Sequence, residues 1–523
     1  MNNTLAIIRS IVIYGLCLPL AIYLGYLLAN PADRVSLAII AVACLLPLIP
    51  ALMRWHHLLL IVSWNMSMVL FFVQGAPYLW MVMTALSLTL TVLQQVLKRN
   101  VHFNAPRSPV LALIFLALII VGTAQLTGGI GLAAFGGDSF GGKRYIQLLV
   151  AIAGFFAIAS HRIPPERANL YVGLYFLAGV TSLVGSLAPW VPGGLRLIYA
   201  LFPVDDSRLF FGEVNSEYLR LNGLTVAAMS ALCFIFALHG LSGLLGVGER
   251  ARFLPLQFRG GFSINQPWRL VVFLALVVVA ASGGYRSYLI TIILYCAALF
   301  FLEGLFRSRL SPVLLLLAVL IPAVALPLAD RLPLTIQRSL SFLPIEIDPR
   351  AELDAENSSE WRKKIWEQVI PTIPKYLFIG KGYSIDVREF EKIRATGESS
   401  NLATAEFAQD YHSGPLSLLI PLGSFGTIGF VWFLLAAYRV LRNNYRYGPP
   451  EYQKLNTFLF AFFLVRTFMF LVIYGSFQND LATFTGIVAL SLSLNAGVRK
   501  PALAPARPNP AYLPFRLPKP ARL

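Results

Sequence analysis

Three observations predict an all-α polytopic integral membrane protein. Of 523 residues, 57% are hydrophobic and only 13% are charged, whereas soluble domains carry about 25% charged residues. Mean hydropathy is +0.69. Apolar runs of about 20 residues, the length that spans a hydrocarbon core, recur from one end of the chain to the other. The net charge of +17 invites a nucleic-acid partner. The basic residues are instead scattered among short loops and the C-terminal tail, without a basic face interleaved with aromatics, and that class is set aside.

The runs give about fourteen spans (roughly 12–14). They centre near Leu18, Cys44, Met66, Leu86, Leu116, Ile152, Ala178, Leu232, Leu276, Tyr295, Ala318, Gly426, Leu464 and Ala489. The first run lacks a small-residue cleavage site and leads straight into further spans, so it reads as a retained helix. With the N-terminus inside, Lys and Arg number roughly 23 on the inner side and about 7 in the short outer loops. Both termini are therefore expected in the cytoplasm. Cys17, Cys44, Cys233 and Cys296 all fall within apolar runs and read as small core residues.

This orientation places residues 330–411 outside. The segment holds 14 of the 25 acidic residues and 11 of the 42 basic ones, a composition unlike the rest of the chain. Within it, Ser358 and Ser359 read as caps and Pro371 as a stop. Trp361, Ile365, Trp366, Val369 and Ile370 recur at helical spacing. That apolar stripe fits a helix covering the loop's own small core. It fits equally a helix at the bilayer surface, with tryptophans at headgroup level and Arg362 facing a phosphate. The expected organisation is 1–190 and 191–329 as two groups of spans, 330–411 as the loop, 412–498 as the last spans, and 499–523 as a disordered basic tail.

Arginine in or beside a span is costly unless it has a task. Arg286, in Gly283-Gly284-Tyr285-Arg286-Ser287, and Arg220, in Leu219-Arg220-Leu221-Asn222-Gly223, both map to the outer face. Either is a ligand-binding guanidinium or an interfacial arginine whose head snorkels to water. Arg466 lies in mid-span, with Asp480 and Glu303 as rival partners or a ligand as the alternative. Lys381, between Gly380 and Gly382 and next to Tyr383, suits a phosphate contact or an ordinary turn. No cluster has metal-ligand spacing, no phosphate-binding loop is present, and the first outer loop carries only Asp33. Arginines rather than a divalent ion are expected to hold any phosphate, with no cofactor.

His412-Ser413, nine residues, Gly423, two residues and Gly426 stand where the polar loop meets a span. The pattern resembles the signature of the O-antigen ligase family at every specified position. Arg286 matches that family's Tyr-Arg-Ser turn and Arg220 its Arg-x-x-Gly. Arg362 and the Gly380–Tyr383 stretch are similar to features of its loop, and the resemblance is strongest over residues 220–429. It implies a GT-C-like membrane glycosyltransferase of the bacterial inner membrane, with its long loop in the periplasm. Such an enzyme takes a glycan from undecaprenyl diphosphate and passes it to an acceptor hydroxyl, in the ligases the core sugar of lipid A. The resemblance implies that Arg220 and Arg286 neutralise the diphosphate and that His412 takes the hydroxyl proton, an imidazole being able to do so near neutral pH. A repeat-unit polymerase and a protein O-glycosyltransferase share these motifs. From another class, a lipid-linked glycan transporter or flippase also suits many spans with arginines.

Overall fold

The computed structural model describes residues 49–97, 105–128, 130, 139–204, 220–244, 246, 256–258, 262–308, 311–386 and 411–501, with residues 22 and 25. The spans expected near Leu18 and Cys44, and the tail beyond Pro501, lie outside the described residues. Seven helices there are long and apolar enough to cross a membrane. They run over Leu79–Val96, Arg107–Leu126, Gly142–Ala159, Pro165–Ser186, Asn222–Leu244, Gly414–Tyr447 and Pro450–Ile473. Pro267–Ser282 and Arg286–Leu302 are shorter apolar helices.

The elements that matter for the site are, in chain order, α1 (Ile49–Ser63), α2 (Leu79–Leu97), α3 (Arg107–Leu126), α4 (Gly142–Ala159), α5 (Ala168–Leu177), α6 (Asn222–Leu244), α7 (Pro267–Ser282), α8 (Arg286–Leu302), α9 (Ser311–Ala325), α10 (Leu334–Leu340), α11 (Pro349–Val369), α12 (Gly414–Tyr447), α13 (Gln453–Phe468) and α14 (Phe477–Asn495). Two short antiparallel ladders accompany them. Ser139–Phe140 pairs with Ile385–Asp386, and Leu256–Phe258 pairs with Phe262–Ile264. One expected span is displaced: Met66 lies in the irregular stretch between α1 and α2, whose helices end and begin at Ser63 and Leu79.

One apolar core runs from Leu60 to Leu494. At its centre α14 packs on α4, α12 and α13. Because neighbouring helices surround it, α14 tolerates polar residues that lipid would not. Asn456 and Asn495 exchange amide bonds of 3.0 and 2.8 Å, and Asn444 donates to Ser491 Oγ at 3.0 Å. This composition explains why α14, 19 residues long, is absent from the seven apolar spans.

Loop contacts gather at two ends of the helices. At one end Lys143 donates to Ala76 O, Val69 N to Leu201 O and Ser384 Oγ to Thr127 O. At the other, Tyr445 donates to Leu302 O, Arg499 N to Asn444 Oδ1 and Ile163 N to Ser493 O.

A break in α12 ties the acidic loop to the helices. Pro421 removes one amide donor, and Gly423 takes the left-handed conformation (φ 65°). Backbone groups freed within a membrane helix must find new partners. Here the loop supplies them: Lys381 N donates to Ile420 O at 2.7 Å, Gly382 N to Pro421 O at 2.9 Å, and Ser424 N to Leu377 O at 2.6 Å. A Cβ on Gly423 would lie 2.3 Å from Phe378 O. Gly423→Ala is therefore expected to destabilise the protein by about 3 kcal/mol, from left-handed strain plus a clash with backbone. Gly122→Ala has nothing within 4 Å of the added atom and should leave stability unchanged or slightly raised. Thermal midpoints of the two variants in detergent check the contrast.

Helix α11 starts earlier than Ser358 and Ser359 suggest. Asp348 caps it, its carboxylate accepting from Arg350 N at 2.8 Å, and Pro349 holds the first position. The apolar face of α11 packs on the start of α12. Ile365 and Val369 cluster with Tyr411 and Ile420, flanked by Trp361 and Trp366. Trp366 Nε1 donates to Tyr411 O at 2.9 Å. The stripe thus covers a small local core that includes the residue next to His412.

Candidate active site

Two turns place the first arginines together. Arg220 lies two residues before the start of α6, and Arg286 is the first residue of α8. A Cβ on Gly283 would fall 1.7 Å from Thr225 Oγ1 and 2.9 Å from Leu221 O, so only glycine lets the α7–α8 turn approach the start of α6 this closely.

Helix α11 lies across this turn. Ser359 Oγ and Ala355 O accept bonds of 3.1 and 3.2 Å from Arg286 Nη2. Arg220 Nη2 donates to both oxygens of Asp354, at 2.7 and 2.6 Å. Arg338, from α10, binds the same carboxylate through Nε and donates through Nη1 to Gly284 O. Arg286 lies in the field of Arg338, Arg362, Asp354 and Arg220. Burial pushes the Asp354 carboxyl upward, but bonds and charge from Arg338 and Arg220 outweigh it and hold the group below the usual carboxylate range.

His412 sits beyond the other end of this contact surface. Its backbone is left-handed, φ 49°, a conformation that histidine adopts more readily than most side chains. The imidazole lies between Trp361, ring centroids 4.7 Å apart, and Tyr474, at 5.3 Å. Asp354 and Trp361 are seven residues apart on one continuous helix, about 10 Å along its axis, and Ser359, which accepts from Arg286, lies between them. One helix therefore contacts both the guanidinium group and the candidate base.

Of the remaining expected residues, Arg362 joins the arginine group, whereas Lys381, Tyr383 and Arg466 are engaged elsewhere. Lys381 lies at the α12 break. Tyr383 is 1% exposed, donates its amide N–H to the Tyr145 hydroxyl oxygen at 2.7 Å, and packs edge-to-face on that ring. Gly423 accommodates the Phe378–Gly380 backbone, and Gly426 packs against Leu422 of its own helix. Arg466 Nη2 pairs with Asp480 Oδ1 at 2.5 Å, while Asp480 Oδ2 accepts from Ser476 N. Glu303, its rival partner, instead accepts from Leu241 N and Ser242 N where α6 bends at Gly240. Removing the counter-ion of an enclosed arginine is costly. Asp480→Asn should lower stability by about 2 kcal/mol, and adding Arg466→Met should recover most of it. Denaturation of the single and double variants measures that coupling.

Sequence reasoning missed Arg338 and Asp354. Both lie in the acidic loop without a local motif, and only the fold brings them to Arg220. Three other histidines gather at the opposite end of the molecule. His161 packs 4.9 and 5.3 Å from the rings of His56 and His57. His56 bonds Ser87 Oγ and His57 bonds Ile158 O. Among the described residues no three His, Cys, Asp or Glu side chains are arranged to hold a metal ion.

The fold and this site define a polytopic helical membrane protein whose guanidinium group and histidine lie at one end of the helices. Residues 270–431 match the family model described as O-antigen ligase, which supports placing the chain in the O-antigen ligase superfamily. The matched stretch contains Arg286, Arg338, Asp354, Arg362 and His412, and leaves out Arg220 and Arg466. No curated protein matches the chain.

Proposed function

We propose that this protein is a membrane glycosyltransferase that moves a glycan from undecaprenyl diphosphate to an acceptor hydroxyl at the periplasmic face of the inner membrane. The observation that carries the reading is α11, which contacts the arginine group at Asp354, Ala355 and Ser359 and the His412 ring at Trp361. The acceptor is the core sugar of lipid A.

Arg220, Arg286 and Arg362 neutralise the diphosphate, for which guanidinium forks are geometrically suited. His412 takes the acceptor proton as the hydroxyl oxygen attacks the anomeric carbon. A new carbon–oxygen bond forms, the bond to the diphosphate oxygen breaks, and undecaprenyl diphosphate leaves with the bonding electrons. Attack opposite the leaving group inverts the anomeric centre. Guanidinium charge serves where a divalent ion would otherwise do so, and the reaction is metal-independent.

The acceptor separates this reading from its relatives. Proteoliposomes would be given carrier-linked glycan together with lipid A core. Glycan on lipid A supports the ligase. Lengthened carrier-linked chains would make the protein a polymerase, and glycan on neither acceptor would turn attention to a protein acceptor or to transport.

A further inference from the structure

Asp354 fills the place between Arg220 and Arg338 that an anionic ligand of this group would occupy. Among the described residues, it is the one carboxylate acting on Arg286 beside three further guanidiniums. Arg338 is too deeply enclosed to snorkel, with a side chain 5% exposed, and needs an anionic partner. The Asp354 side chain is 27% exposed and so within reach of an incoming ligand. Arg220 keeps a donor in reserve: its Nε is buried with no hydrogen-bond partner among the described residues. A carboxylate offers one charge on two oxygens, whereas a diphosphate brings more charge and more acceptors to the same donors.

We propose that Arg338 is a further binding residue of the anion site, and that Asp354 is its resident counter-ion, exchanged for a phosphate group when a diphosphate ligand binds. The inference rests on the reading that Arg220 and Arg286 hold a diphosphate. Asp354 keeps the guanidiniums together before the ligand arrives, at the expense of affinity, because a ligand must displace it. The displaced carboxylate belongs to α11, which also carries Ser359 against Arg286 and Trp361 against His412. Filling the anion site is thereby felt at the candidate base.

Inorganic pyrophosphate binding to the full-length protein in nanodiscs, measured by calorimetry, tests this with D354N and R338K. D354N should bind about tenfold more tightly than wild type, and its thermal midpoint without pyrophosphate should be lower. R338K should bind about fivefold more weakly, since an ammonium cannot reproduce the guanidinium contacts. Wild-type binding that D354N leaves unchanged or weakens overturns the inference alone. Absence of binding to both wild type and D354N overturns the diphosphate reading and the inference with it. If D354N is not monodisperse, R338K decides: affinity equal to wild type overturns the role of Arg338, and the fivefold loss supports it.

Discussion

Replacing His412 with alanine should lower glycan transfer about 10³-fold, near the middle of the range for a lost general base, or about 4 kcal/mol. Donor KM should change little, because guanidiniums and not the imidazole hold the diphosphate. A backbone effect has to be separated from a chemical one. His412 has φ 49°, where alanine costs about 1–2 kcal/mol that asparagine largely avoids. His412→Asn should therefore keep the wild-type thermal midpoint and still lose transfer to the same degree as His412→Ala. Recovery of activity in the asparagine variant would show that the residue shapes the α12 start rather than moving a proton. Ring packing gives a further check. Trp361 and Tyr474 flank the imidazole, and their truncation should reduce transfer less than loss of the histidine itself.

Arg286→Gln should reduce transfer about 10²–10³-fold, with donor KM raised as well, since charge on the leaving diphosphate would no longer be met. The side chain also anchors α11 through Ala355 O and Ser359 Oγ, so an alternative is purely architectural. Ser359→Ala removes one of those anchors while leaving the guanidinium in place. Its transfer rate should stay within a few-fold of wild type. Equal losses in the two variants would assign Arg286 to holding the loop. The expected split, large for arginine and small for serine, assigns it to the donor.

The apolar helices and the arginines beside them were legible in the sequence, for physical reasons that differ by residue. Spans that face lipid must be apolar, so length and composition reveal them. Helix α14 carries Asn, Ser and Thr toward other helices, and its apolar signal is correspondingly weaker. Arg220 and Arg286 stood out because a guanidinium beside a span needs a reason. Arg338 and Asp354, in a loop already rich in charge, had no contrast against which to be seen. The start of α11 was misplaced because Ser358-Ser359 also satisfy capping preferences. The true cap, Asp348-Pro349, lies ten residues before Ser358.

The signature itself turned out to join two tasks. His412 precedes α12, and Gly423 lies eleven residues further along the chain, about 16 Å down the axis of a regular helix. A glycine in a membrane helix lets another chain approach closely. What approaches is the loop backbone at Phe378 and Gly380. Its spacing from His412 fixes where the loop plugs the helix break, a long-range pairing that no local pattern encodes. Around Lys381 and Tyr383, glycines and an aromatic suit a substrate loop and a backbone plug alike.

The central claim is that a bond is broken at the outer face by arginine and histidine side chains. The most direct test measures free undecaprenyl diphosphate alongside acceptor-linked glycan in proteoliposomes containing chelator. One undecaprenyl diphosphate released for each glycan transferred, at a rate the chelator leaves unchanged, is the predicted result. Carrier-linked glycan recovered intact on the opposite side of the bilayer, with no undecaprenyl diphosphate formed, would contradict it and identify a transporter.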